Sequence, residues 1–227
     1  MKRLVVLNAG VSTPSTTKML SQRISGAVEA EITNRGEGLE VVDVDINTFV
    51  TDLATVMATG VYPAKLREVL DQVATADALI AVTPVFSASY SGVFKMFIDV
   101  LDQQALVDTP MIIAATAGTA RHSLVLEYAM RPLFAYLKAI VMPTAVFAAT
   151  DDFGAESELE ARIAKAARQL ATYLVEKPDG EAGLSPNLGA TATRAETIQI
   201  VGSEDSSIGE TGFVPFSQML QGLSGHD

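Results

Sequence analysis

The chain has 227 residues, enough for one domain with a full core and some to spare, and its apolar runs fall well short of a membrane span. It has no cysteine, which excludes disulfides, thiol catalysis and thiolate metal sites, and its net charge of −11 argues against nucleic acid, which needs a basic face. The charge is uneven: residues 178–227 carry seven acids against one base, Arg194, while the preceding residues carry 20 acids and 15 bases. An anionic ligand on this body is expected to be held by neutral donors and helix ends.

Met1-Lys2-Arg3 leads straight into a first strand, Arg3 to Asn8, so no cleavable signal is expected and the chain reads as cytoplasmic. A helix follows from about Ser15 to Thr33, then a strand from Leu39 to Val44. After a mixed segment, Pro63 opens a helix that reaches Ala76. The third strand is Ala78 to Thr83, where Pro84 lacks an N–H and is expected to stop it, with a helix from Ser91 to about Ala105. The fourth strand, Met111 to Thr116, precedes a helix from about Ser123 to Lys138. The fifth, Ala139 to Ala149, is interrupted at Pro143, and a helix from Glu156 to Leu174 closes the body. Strands one, three and four are near-continuous apolar runs, as in a parallel sheet covered by helices on both faces. The alternation predicts an α/β fold over residues 1–177, a doubly wound five-stranded parallel sheet of order 2-1-3-4-5. From Pro178 the composition turns to Gly, Ser, Thr, Pro and Asp, an acidic C-terminal extension over 178–227. Its apolar Phe213, Phe216, Met219 and Leu220 point to a docking segment at 197–221.

Three loops at the carboxyl ends of these strands share one character. After the first strand comes N-A-G-V-S-T-P-S-T-T-K, Asn8 to Lys18. Gly10 is the single glycine there, so this is not the dinucleotide fingerprint, and no Gly-Lys-Ser/Thr makes it a P-loop. It offers the hydroxyls of Ser12, Ser15, Thr16 and Thr17, one Lys18, and free amides on a helix start, an anion site suited to one terminal phosphate. Ser15 or Thr16 is expected to cap that helix. After the third strand, T-P-V-F-S-A-S-Y-S-G-V-F-K, Thr83 to Lys95, presents backbone amides with the Ser87 and Ser89 hydroxyls to a flat, polar-edged ligand. After the fourth, T-A-G-T-A-R-H, Thr116 to His122, brings hydroxyls from Thr116 and Thr119 and a Gly118 that allows close backbone approach. Around a switch point the three loops surround one crevice, and together they suggest a flavin mononucleotide. Arg121 and His122 could touch a dinucleotide or serve only the helix start. His226 lies in the extension, so His122 alone could serve a serine triad, and no G-x-S-x-G elbow exists. Asp99 and Asp102 read as a solvated helix face. No metal site is expected.

The set G-x-S-x-P-S-x-T, T-P-V-F-S-A-S-Y-S-G-V-F-K and A-T-A-G-T-A-R-H-S-L-V-L-E-Y-A-M-R-P resembles the NAD(P)H-dependent FMN reductases of flavodoxin-like fold. Within them it is most similar to the reductase components of two-component flavin monooxygenase systems, such as the alkanesulfonate FMN reductases. The resemblance covers about residues 1–175. It implies hydride transfer from NADPH or NADH to FMN, with reduced flavin passed to a partner monooxygenase. It also implies that Ser12, Ser15, Thr16 and Thr17 bind the flavin phosphate. Pro84, Val85, Phe86 and Ser87 would line the isoalloxazine edge with backbone N–H groups near N5 and O4, and Thr116, Ala117, Gly118 and Thr119 would meet the pyrimidine end. The family often has an arginine where this chain has Val11-Ser12-Thr13, and a basic residue in place of Ser87. Hydride transfer needs stacking and distance rather than a protein acid or base, so no catalytic side chain is expected. In the family the helix after the fourth strand packs between subunits, which implies a homodimer or homotetramer with Tyr128 and its neighbours at the interface. An electron-transfer flavodoxin, or a quinone or azo reductase, would use the same fold.

Overall fold

The computed structural model describes residues 1–153 and 156–176. The expected extension at 178–227, with its docking segment at 197–221, lies outside the described residues. The strands are β1 (Lys2–Asn8), β2 (Leu39–Asp45), β3 (Ala78–Phe86), β4 (Ser89–Tyr90), β5 (Pro110–Ala117), β6 (Ile140–Val141) and β7 (Val146–Ala149). The helices are α1 (Thr16–Thr33), α2 (Val50–Thr59), α3 (Ala64–Ala74), α4 (Gly92–Asp99), α5 (Arg131–Tyr136) and α6 (Glu156–Glu176).

The sheet runs β2-β1-β3-β5-β6, with every pair parallel along that path. It matches the expected doubly wound order, with seven strands among the described residues rather than five. The first extra strand is β4, a hairpin partner of β3. The second comes from splitting the last strand into β6 and β7, both paired to β5, on either side of Pro143. The two carbonyls at that break, Met142 and Pro143, accept from the Arg131 guanidinium at 3.3 and 3.4 Å, and the Thr144 N–H donates to Gln169 at 3.0 Å.

Strand alternation sends successive residues to opposite faces, and both faces are buried. Val5, Leu7, Leu79, Ala81, Ile113 and Phe147 pack with Leu53, Leu66, Phe94, Phe97 and Phe134 from α2 to α5. Leu4, Val6, Ile80, Val82, Ile112 and Ala114 pack with Leu20, Ile24, Val28, Ile163 and Leu170 from α1 and α6. Continuous apolar strands are therefore explained by two helical layers rather than one.

Three expected elements are corrected. β3 does not stop at Thr83 but continues to Phe86. The Val82 carbonyl accepts from Ala9 on the β1 side, so by alternation Pro84 faces β1 as well, beyond the point where β1 pairing ends at Asn8. No ladder donor is needed there, and Pro84 instead pairs in register with Thr116 of β5. The helix after Ser91 ends at Asp99, not Ala105. Asp102 takes the Gln104 N–H on its own side chain at 2.7 Å and opens a run of turns. The helix expected over 123–138 is broken into a 3₁₀ turn at Ala120–His122, a π segment at Leu126–Met130 and α5. Pro132 has no N–H to return to Tyr128, and the Arg131 N–H reaches back five residues to Leu126.

Candidate functional site

β1 brings the chain to the carboxyl edge at the buried Asn8, whose side-chain oxygen accepts the Gly10 N–H at 3.0 Å. A Cβ on Gly10 would lie 2.1 Å from Ser15 Oγ and 3.1 Å from Asn8 Oδ1, so the loop closes on its own cap only because residue 10 has no side chain. The loop includes a cis Thr13–Pro14 peptide. Of the two hydroxyls expected to cap α1, Ser15 does so: its backbone is extended and its Oγ accepts the Lys18 N–H at 3.2 Å. That leaves the Thr16 and Thr17 N–H groups without helical carbonyls, and leaves the Ser15 O–H hydrogen free to donate. Ser12 and Thr16 are exposed, Ser15 is half-buried, and Thr17 is buried.

The middle loop is a tight hairpin. Val85 pairs with Tyr90 and Phe86 with Ser89, and the two connecting residues, Ser87 and Ala88, have φ of 50° and 66°. Two left-handed residues in a two-residue connection make the turn whose twist suits a hairpin, normally built from Asn or Gly. Its base is fixed by Thr83, whose buried Oγ1 accepts the Ser91 N–H at 3.1 Å and donates to the Pro84 carbonyl at 3.0 Å. Ser91 in turn caps α4 through the Phe94 N–H at 3.2 Å. Pro84 and Val85 are half-buried, while Phe86 stands 47% exposed at the tip.

The third loop leaves β5 at Ala117. A Cβ placed on Gly118 would meet nothing within 4 Å, so its backbone borders open space. Thr119 is exposed, and Arg121 and His122 sit on the short turn that follows. Thr116 lies deeper, 4% exposed, and its hydroxyl is 2.8 Å from that of Thr17. Thus the structure brings the three loops to one end of the sheet. At that end Ser12, Thr16, Phe86, Ser87, Gly118 and Thr119 are exposed and Ser15 is half-buried, whereas Thr17 and Thr116 are buried.

The electrostatics are those of neutral donors around a helix N-terminus. Among the described residues no acid pairs with Lys18 or Arg121, the cations nearest these loops, and no cluster of three acids and histidines could hold a metal. Asp99, expected on a solvated face, pairs with Lys95 one turn before it. Beyond the third loop Glu127 holds Arg131 through two contacts, 2.6 and 3.0 Å. The hydrogen bond from Arg131 holds the Glu127 carboxyl below its ordinary value and outweighs partial desolvation.

Several of these features left little mark in the sequence. The hairpin carries Ser-Ala where Asn-Gly would have signalled it, and the Thr17–Thr116 contact joins residues 99 positions apart. Asn8 could have been found, since an Asn after a strand is a common acceptor for an amide two residues on.

Comparison with known proteins converges on one group. The sequence model of the family described as NADPH-dependent FMN reductase matches residues 2–154. The chain is 35% identical to an FMN reductase (NADPH) of Pseudomonas aeruginosa, over 74% of this chain and 90% of that protein. It is 33% identical to the NADH-dependent FMN reductase SfnF of Pseudomonas fluorescens, with the same coverage of 74% and 90%. Among solved structures, an oxidoreductase from Corynebacterium diphtheriae is 51% identical with a TM-score of 0.76, covering 78% of this chain and 98% of that one. The apo form of the NADH:FMN oxidoreductase EmoB is 25% identical with a TM-score of 0.67, covering 78% and 92%.

Proposed function

The chain belongs to the NADPH-dependent FMN reductase family, and from that premise we propose how its own residues serve the reaction. The protein is an NAD(P)H-dependent FMN reductase, an oxidoreductase that uses FMN with NADPH or NADH. The observation that carries the site assignment is the convergence of a capped helix start, a hairpin tip and an open glycine turn on one sheet edge. These residues fit FMN: uncommitted amides and hydroxyls for a phosphate, backbone edges for a planar ring, and open space beside Gly118.

When bound, FMN accepts the hydride from the nicotinamide. Ser12, Ser15 and Thr16, with the amides of Thr16 and Thr17, would hold its phosphate on the positive end of α1. Pro84, Val85, Phe86 and Ser87 would line the ring edge, and Ala117, Gly118 and Thr119 its far end. No side chain here needs to move a proton, so the chain's contribution is to orient the ring and leave one face open to the donor. A first loop whose one nearby cation is Lys18 favours FMN that exchanges. On that reading the reduced flavin leaves for a flavin-dependent monooxygenase in the cytoplasm. No helix among the described residues is long and apolar enough to cross a membrane.

We also infer a homodimer or homotetramer joined through Tyr128 and its neighbours, and a two-part chain of residues 1–177 and the extension 178–227. Truncation after Lys177 should lower oligomer mass, melting temperature or turnover. If all three stay at wild-type values, the extension has no docking role. The function itself is tested by mixing the purified protein with free FMN and either NADH or NADPH. Loss of nicotinamide absorbance is expected, and the initial rates rank the two donors. No loss with either donor, with flavin retained through desalting, would indicate an electron-transfer flavodoxin instead.

A further inference from the structure

We propose that Thr17 and Thr116 are a pair of positioning residues, whose mutual hydrogen bond sets the span between the phosphate end and the ring end of the FMN site. This rests on the site assignment above. Their oxygens lie 2.8 Å apart, and the side chains are 3% and 4% exposed. β5 is not a neighbour of β1, because β3 lies between them. The bond therefore reaches from the first turn of α1, over β3, to the end of β5. It thereby ties the loop before α1 to the loop after β5, with the hairpin between them.

Ordinary periodicity brings both hydroxyls there. Thr17 shares its helix face with Leu20, Ser21 and Ile24, and Thr116 shares its strand face with Ile112 and Ala114. Those neighbours are mostly apolar, so two valines would fill the same space without burying any polar atom. Two threonines desolvate two hydroxyls for a single bond, a poor exchange for stability alone. Moreover, two hydroxyls carry two hydrogens and only one lies between the oxygens. Neither oxygen has a second partner among the described residues. One of the two O–H hydrogens is thus not committed to the pair.

The test compares Thr17→Val, Thr116→Val, the double valine variant, and Thr17→Ser and Thr116→Ser. Each single valine should raise the KM for FMN about tenfold, while kcat and the KM for NAD(P)H stay within about twofold of wild type. The double variant should be no worse than either single, because both remove the same bond. Serine, which keeps the hydroxyl, should keep the wild-type KM for FMN. FMN binding measured by flavin fluorescence at low temperature covers any variant too unstable for kinetics. An unchanged KM for FMN, single effects that multiply in the double variant, or serine variants as impaired as valine would each overturn the proposal. A wild-type protein that neither binds FMN nor oxidises NAD(P)H with it would instead sink the site assignment.

Discussion

Ser15 has two roles, and they can be separated. As cap it accepts from Lys18, and as donor it is proposed to hold the flavin phosphate. Ser15→Ala should therefore cost about 1 kcal/mol of stability and weaken FMN binding by about 1–3 kcal/mol, the usual loss for a hydrogen bond to a charged group. Denaturant unfolding and an FMN titration measure the two; unchanged FMN affinity with the cap cost intact would move the phosphate elsewhere. Riboflavin, which has no phosphate, should bind the wild type more weakly than FMN and show no difference between the two proteins. Ala88, at φ 66°, is held in a conformation that favours glycine. Ala88→Gly should stabilise the fold by a net amount of about 0.5–1 kcal/mol, the relief of strain less the added freedom of the unfolded chain. A loss of stability there would mean that the turn is not strained. Residues at this scale were the hardest to read in advance. Ser12, Ser15 and Gly118 were legible as loop residues at strand ends, but Thr17 was grouped with the exposed Thr16 although its spacing to Leu20, Ser21 and Ile24 puts it on the buried face of α1.

At the scale of elements, the strands were legible because burial on both faces writes itself as unbroken apolar runs in β1, β3 and β5. What failed was the reading of Pro84 and Pro132, while Pro63 opens a helix and Pro143 interrupts the last strand as expected. Pro84 was expected to end a strand and continues one, because its missing donor faces a position that β1 has already left. Pro132 was expected inside a helix and instead coincides with the change from a π segment to α5. That junction is braced by Glu127 and Arg131, and Arg131 also reaches the carbonyls at the break between β6 and β7. Because the folded pKa of Glu127 lies below its unfolded value, the pair adds stability above the ordinary glutamate range and loses it as pH falls through the folded value. Glu127→Gln should thus lower the unfolding free energy at neutral pH by the small amount of an exposed pair, about 0.2–1 kcal/mol, read by denaturant unfolding. The difference should vanish in acid. A gap between the two proteins that widens in acid would contradict this assignment.

For the whole molecule, the exposed apolar side chains Leu124, Tyr128 and Tyr136, at 62%, 78% and 71%, are the candidates for the proposed subunit contact. Tyr128→Asp should reduce the mass measured by light scattering toward that of one chain, with secondary structure retained. An unchanged mass would place any subunit contact elsewhere. The contact between Thr17 and Thr116, 99 positions apart, has a further consequence for the order of folding. Every strand pair along the central path is parallel, so each closes only after a long intervening crossover has been made. On the proposed site assignment the crevice has no complete edge until β1, β3 and β5 are aligned, which needs the chain through Ala117. Flavin affinity would thereby wait for that part of the sheet to form. Added FMN should accordingly raise the melting temperature by mass action on the native state alone, which makes it a sensor of completed folding.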